Sequence, residues 1–151
     1  MRDTPQPEAI PPAELREIIQ TVSGSIPAVD QLARRLHYVA EVMAGLGALP
    51  GGPVLAWRDI GGCVRHADIA SELVVGRQAG DGLTFAEDEL LSRHHFKVCY
   101  DGATCALEDL NSRNGTTVNS SEDRIRRATV RDGDLIYAGR QIFVYLNPAR
   151  M

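Results

Sequence analysis

Phe96-Lys97-Val98-Cys99-Tyr100-Asp101-Gly102-Ala103-Thr104-Cys105-Ala106-Leu107 decides the fold class. Phe96 to Tyr100 alternates in the two-residue period of a strand with one buried face. Asp101-Gly102 then supplies a hairpin turn signal, because glycine takes a positive φ without steric cost, and Thr104 to Leu107 returns. The same texture extends outward. Val54-Leu55-Ala56-Trp57 and Leu73-Val74-Val75 are short apolar runs bounded by glycine or charge. Asp132-Gly133-Asp134 precedes Leu135-Ile136-Tyr137, and Ala138-Gly139-Arg140 leads into Gln141-Ile142-Phe143-Val144-Tyr145-Leu146. Short strands with turns about every 8–12 residues predict an all-β sandwich whose loops gather at one end.

Upstream of Leu49-Pro50-Gly51-Gly52-Pro53, a cluster of chain breakers, the pattern is helical. Leu15, Ile18, Ile19 and Val22 form one apolar stripe with Pro11 and Pro12 at its start, and Ser23-Gly24-Ser25 ends it. A longer helix is expected from about Pro27 to Ala44. There Val29, Leu32, Leu36, Val39, Met43 and Leu46 recur three and four residues apart, a heptad-like seam. The expected organisation is thus a helical hairpin with a disordered start over residues 1–52 and a β-sandwich over 53–151. The seam packs on its own hairpin or on the following domain, or else makes residues 12–47 a homodimer or partner-docking element.

The 151 residues carry a formal net charge of −4, with 44% hydrophobic and 5% aromatic residues. This size buries a core without disulfides or metal, and the ordinary apolar content argues against disorder. Net acidity speaks against nucleic acid as a partner, and the few aromatics against a base-stacking platform. No run of about 20 apolar residues suggests a membrane span, and Met1-Arg2-Asp3-Thr4-Pro5 has no signal-peptide character, so the expected location is cytoplasmic. Of the 16 basic residues only Lys97 is lysine. Arginine grips phosphate with a planar fork of donors, so the placement of each one matters.

Three loop-like spots share one chemistry. Gly76-Arg77 follows the strand Leu73–Val75, Ser92-Arg93-His94-His95 precedes Phe96, and Asn111-Ser112-Arg113-Asn114-Gly115-Thr116 follows Leu107–Leu110. If the sandwich gathers them, their guanidinium, hydroxyl and amide donors make a concavity suited to a tetrahedral oxyanion, whether a free phosphate or a phosphate group on a protein.

Val75-Gly76-Arg77, Leu91-Ser92-Arg93-His94-His95-Phe96, Asp109 to Asn119 and Asp132-Gly133-Asp134 with Gly139 together resemble the forkhead-associated (FHA) domain, over about Val54 to Leu146. The GR, SxxH and NG elements stand in order, with 15 residues from Arg77 to Ser92 and 22 from Ser92 to Asn114. The resemblance implies an antiparallel β-sandwich of about eleven strands that binds phosphothreonine peptides through loops at one end. It also implies residue roles. Arg77 contacts the phosphate, the Ser92 hydroxyl donates to a phosphate oxygen, and Arg93 adds a second cation. Asn114 hydrogen-bonds the peptide backbone, and Arg113 reaches either the phosphate or an acidic residue of the peptide. Gly76, His95 and Gly115 support the loops, and His94 faces outward without a role.

Other chemistries fit poorly. Cys63-Val64-Arg65-His66 has no correctly spaced second pair of zinc ligands, so no metal is expected. Cys99 and Cys105 flank the hairpin turn and would face each other in one register, though core thiols are the expectation in a cytosolic protein. Gly76 to Gly82 lacks the Lys-Ser/Thr ending of a P-loop, and Ser92 lacks nucleophile-elbow glycines. The expected function is therefore an adaptor without catalysis or cofactor. It would recruit partners phosphorylated by an upstream Ser/Thr kinase, in signalling of the bacterial type. The alternative is a phospho-independent assembly scaffold. Thr4 and Thr21 are candidate intramolecular ligands once phosphorylated.

Overall fold

The computed structural model describes residues 26–48, 50–120 and 122–148. By its contacts the chain divides between Leu36 and His37, inside a helix, α1 (Ile26–Leu46). The first half of the expected hairpin, Leu15 to Val22, lies outside the described residues, as do Thr4 and Thr21. In the part of α1 before the division, Leu32 and Leu36 are 45% and 56% exposed.

From His37 onward the protein is a two-sheet sandwich. Its described strands are β1 (Val54–Arg58), β2 (Val64–Asp68), β3 (Glu72–Gly76), β4 (Leu83–Thr84), β5 (Phe96–Tyr100), β6 (Cys105–Asp109), β7 (Thr116–Val118), β8 (Arg127–Val130), β9 (Leu135–Ala138) and β10 (Gln141–Leu146). One sheet runs β2-β1-β10-β9-β7 and the other β4-β3-β5-β6-β8. These are ten strands where the resemblance implied about eleven, and an isolated bridge between Thr117 and Arg124 lies outside them. Every pairing is antiparallel except that of the two-residue β4 with β3.

The β5–β6 hairpin forms as its sequence dictates. The Asp101 carboxylate accepts the N–H groups of Ala103 and Thr104, both at 2.8 Å, and Gly102 takes a φ of +98°. The resulting register sets Val98 against Leu107 and Tyr100 against Cys105. Cys99 pairs with Ala106 instead, so it faces the opposite side of the sheet from Cys105 and the two thiols cannot meet across the hairpin. All three cysteines are free.

The core lies between the sheets. Leu55, Val75, Leu91, Phe96, Val98, Leu107, Ile136 and Phe143 are at most 1% exposed. Phe143 stands edge-on to Trp57, Phe85 and Phe96, with ring centroids 5.6–5.8 Å apart. Edge-to-face packing of this kind adds about 0.5–1.5 kcal/mol per pair beyond burial.

A second apolar layer covers the outer face of the first sheet. Val54, Ala56, Leu135, Val144 and Leu146 pack there with Val42, Tyr38, Val39, Met43 and Leu46 from the second half of α1. The Tyr38 hydroxyl donates to the Ile142 carbonyl at 2.9 Å and accepts the Arg58 N–H at 3.3 Å. β1 and β10 are thus buried on both faces. This is why Val54-Leu55-Ala56-Trp57 and Ile142-Phe143-Val144-Tyr145-Leu146 read as continuous apolar runs instead of alternating.

Candidate functional site

The donor-rich spots of the sequence converge because the C-terminus of β3, the N-terminus of β5 and the C-terminus of β6 lie side by side at one end of the second sheet. The Arg77 N–H donates to the Ser92 carbonyl at 2.9 Å, the Gln78 N–H to the Arg93 carbonyl at 3.0 Å, and the His95 N–H to the Val75 carbonyl at 2.9 Å. This approach requires glycine at position 76, where an added Cβ would collide with the Arg93 carbonyl. The Arg77 Nε donates to the Leu91 carbonyl at 3.2 Å. Its two Nη groups have no hydrogen-bond partner among the described residues.

Ser92 is the meeting point. Its hydroxyl oxygen accepts the Arg113 N–H at 2.9 Å, which joins the loop before β5 to the loop after β6. With that lone pair occupied, the hydroxyl proton is left to donate elsewhere. Arg93 and Arg113 are exposed, and neither they nor Arg77 enter an ion pair among the described residues. Asn114 is exposed and donates its Nδ2 to the Leu90 carbonyl at 2.9 Å, so its Oδ1 has no partner among those residues. Of the expected site residues, Arg77, Ser92 and Arg113 are tied together by hydrogen bonds, while Asn114 is fixed to the Leu90 carbonyl instead. Arg93 is held only through its carbonyl, and its side chain touches none of the others by a hydrogen bond.

His95 is fully buried and fastens the two loops. Its Nδ1 accepts the Ser92 N–H at 3.0 Å, and its Nε2 lies 2.8 Å from the Gly115 carbonyl. Both bonds are satisfied when the proton sits on Nε2. His94 is exposed. Gly115 has a φ of +90°, and a Cβ there would strike the Arg124 side chain. Glycine is needed at this position both for the backbone conformation and for the space.

Three supporting residues were assigned no role from sequence. Asp109 accepts the Ser112 N–H at 2.9 Å, the Ser112 hydroxyl at 2.5 Å and the Thr116 hydroxyl at 2.7 Å, while the Ser112 Oγ in turn accepts the Gly115 N–H at 3.0 Å. Burial pushes the Asp109 carboxyl up, but the bonds from Ser112 and Thr116 more than offset this and hold it below the usual carboxylate range. Asp88, 5% exposed, accepts the N–H groups of Leu90 and Arg140 and the Gln141 amide. Burial again works upward on its carboxyl, and these bonds carry it below the ordinary value. Asp88 therefore anchors to the β9–β10 turn the loop whose Leu90 carbonyl holds Asn114. Arg124 closes over the other loop, its Nη2 donating to the Ser112 carbonyl at 3.0 Å. The Asp109-to-Ser112 spacing carried a readable signal, since an aspartate commonly caps the amide a few residues on. Asp88 and Arg124 carried none, because their partners lie far along the chain or are backbone groups.

Among the described residues no three His, Cys, Asp or Glu side chains converge as a metal site would require. The segment after Arg77 makes a turn, with the Gly82 N–H donating to the Ala79 carbonyl, and continues into β4 rather than a helix.

Residues 73–139, which hold all three loops, match the FHA domain family model. A crystal structure of the FHA domain of FhaA in complex with the intracellular domain of another protein is 30% identical, with a TM-score of 0.51, and the match covers 62% of this chain and 98% of that one. The chain belongs to the FHA-domain family. A second solved FHA domain, from work on phosphothreonine-dependent FHA domain interactions, is 28% identical with a TM-score of 0.54, covering 63% of this chain and 95% of that one. Among curated proteins, FhaA of Mycobacterium tuberculosis is 42% identical over 52 residues, 34% of this chain. That match spans only 10% of the length of FhaA. The fold of this FHA domain is mainly β, and no helix among the described residues is long and apolar enough to cross a membrane.

Proposed function

We propose that this FHA domain is a phosphothreonine-dependent adaptor, recruiting a partner protein that a Ser/Thr kinase has marked. The observation that carries this reading is the state of Ser92. Its hydroxyl oxygen is occupied by the Arg113 N–H, its proton is left to donate, and beside it stands Arg77, whose Nη groups have no partner among the described residues and whose backbone is bonded to the Ser92 carbonyl. A phosphoryl group brings about −1.5 to −2 charges and three acceptor oxygens, which match such donors. An unmodified threonine brings neither.

In this reading Arg77 and Ser92 bind the phosphate, and Arg93 and Arg113 add positive charge around it. The Asn114 amide takes the peptide backbone. Gly76, His95 and Gly115 keep the loops at bonding distance. Charge-assisted hydrogen bonds contribute roughly 1.5–3 kcal/mol each, and micromolar affinity needs about 8 kcal/mol net of the cost of ordering the peptide. At least three such bonds are therefore required, and removing the arginine removes more than the remainder can replace.

Titration calorimetry with matched threonine and phosphothreonine peptides tests the assignment. Binding is expected only for the phosphorylated peptide, and Arg77→Ala is expected to weaken it at least 100-fold, corresponding to about 2.7 kcal/mol. Equal affinity for the two peptides, or an Arg77→Ala variant that binds as the parent does, refutes the reading.

A further inference from the structure

Beyond the phosphate cluster, the loop Asn111–Gly115 has a second side. There the end of β6 and the approach to β8 enclose a hollow of about 480 Å³, lined by Asp109, Asn111, Arg124 and Arg126 among others. We infer that this hollow is a second anion subsite, which takes an acidic group of the same peptide that presents the phosphothreonine. The inference rests on the phosphothreonine reading and names which peptides the site prefers.

The balance of charge around the hollow supports it. Two carboxylates belong to its lining, and both are already engaged. Asp109 has its oxygens occupied by Ser112 and Thr116. Glu108 lies 3.8 Å from the Lys97 Nζ and sits opposite both Lys97 and Arg127 in the sheet register. The guanidinium groups are in the contrary condition. Arg124 and Arg126 are exposed, and neither forms an ion pair among the described residues. Glu122 and Asp123 precede Arg124 in the chain but do not line the hollow.

Arg124 is also pre-positioned. Its Nη2 is held by the Ser112 carbonyl and its stem lies against Gly115, so the fork need not be ordered when an anion arrives. A guanidinium whose side chain is already fixed loses less rotamer entropy on pairing than a free surface arginine does. Continuity with the phosphate cluster follows from the chain itself, because Ser112, which holds Arg124, is followed directly by Arg113, whose N–H meets Ser92. A peptide bound at Ser92 therefore lies one loop away from a concave surface that carries the guanidinium groups of Arg124 and Arg126.

The occupant is an anionic group on the peptide, whether a glutamate carboxylate or a second phosphoryl group. Pairing with an already ordered arginine corresponds to roughly a threefold to fivefold gain in affinity, the upper part of the range for exposed ion pairs. Calorimetry on the full chain would use phosphothreonine peptides with alanine at every flanking position, with three glutamates before the phosphothreonine, with three after it, and with one phosphoserine in place of the glutamates. One acidic arm is expected to bind about threefold to fivefold more tightly than the alanine-flanked peptide. The ratio should fall about twofold in Arg126→Gln, which removes one of the two guanidinium groups and leaves Arg124 in place. Arg131→Gln, an equal change of net charge at an exposed arginine in the β8–β9 turn, should keep the full ratio. A gain in the glutamate arms identifies a carboxylate occupant, and a gain confined to the phosphoserine arm identifies a second phosphate. The subsite is overturned if no anionic arm gains, or if Arg126→Gln and Arg131→Gln reduce the gain equally. If the alanine-flanked and anionic peptides all fail to bind, the phosphothreonine reading fails first and takes this inference with it.

Discussion

Replacing His95 tests whether the site is held together by the buried imidazole. The ring is fully buried and joins the loop before β5 to the loop after β6 by two hydrogen bonds, from the Ser92 N–H and to the Gly115 carbonyl. His95→Phe keeps a ring of similar bulk but leaves both groups without partners. Each orphaned buried group costs about 1–3 kcal/mol, and the smaller figure applies to the half-buried Ser92, which water can reach. The expected loss is therefore about 2–4 kcal/mol. His95→Ala adds a cavity and should lose about 1 kcal/mol more. With a urea dependence of about 1–3 kcal/mol per molar, the midpoint should fall by roughly 1–3 M in urea melts followed by circular dichroism. Phosphothreonine-peptide affinity, measured well below the melt, should fall in both variants, because Ser92 and Gly115 lose their common anchor. A His95→Phe protein within 0.5 kcal/mol of the parent would show that packing, not hydrogen bonding, holds the loops, and the reasoning would be wrong.

Two further outcomes follow from the same structure. Asp109 has its carboxyl held below the usual range, so the stability it contributes is present above its unfolded pKa of about 3.9 and is lost as pH falls through the lower folded value. Urea melts between pH 6 and pH 2.5 should show the parent losing more stability than Asp109→Asn over this window, and parallel curves would contradict the hydrogen-bond assignment. Phe143→Ala removes the ring shared by Trp57, Phe85 and Phe96 and should cost about 3–5 kcal/mol by equilibrium unfolding; a loss under 1 kcal/mol would mean that the core collapses around the gap.

The strands differ in how clearly the sequence announced them. β5 and β10 were read with the bounds they have, and the β5–β6 hairpin with its turn at Asp101-Gly102. β2 and β8 were not read. Each lies at the edge of a sheet, with at most two of its side chains drawn inward, so Val64-Arg65-His66-Ala67-Asp68 and Arg127-Ala128-Thr129-Val130 carry little hydrophobic period. β4 has only two residues and pairs through its backbone with β3, an interaction without a side-chain signature. The helix was expected from Pro27 to Ala44 and extends over Ile26–Leu46, its seam residues Val39, Met43 and Leu46 packing on the outer face of the first sheet.

The candidate site divides along the same line. Arg77, Ser92, Arg93, Arg113 and Asn114 were named from residue type, order and family resemblance, because donors that face a ligand are part of a local motif. Which atoms remain available was decided by tertiary structure. The occupied lone pair of Ser92, the Leu90 carbonyl that takes one end of the Asn114 amide, and the Leu91 carbonyl that takes the Arg77 Nε all involve backbone groups 14 to 24 residues away. Backbone donors and acceptors are alike in every residue, so sequence cannot say which of them will meet.

The arginine excess shows the same division. Composition alone marked these side chains as phosphate-gripping in chemistry, and the motif selected Arg77, Arg93 and Arg113. Only the fold sets Arg124 over Gly115 and Arg124 and Arg126 around one hollow, and only the register across β6 supplies Glu108 with Lys97 and Arg127 as cationic neighbours. Side-chain chemistry is written in the chain. Which charges are neutralised and which stay open depends on strand pairing, where residues distant in sequence are brought within a few ångströms.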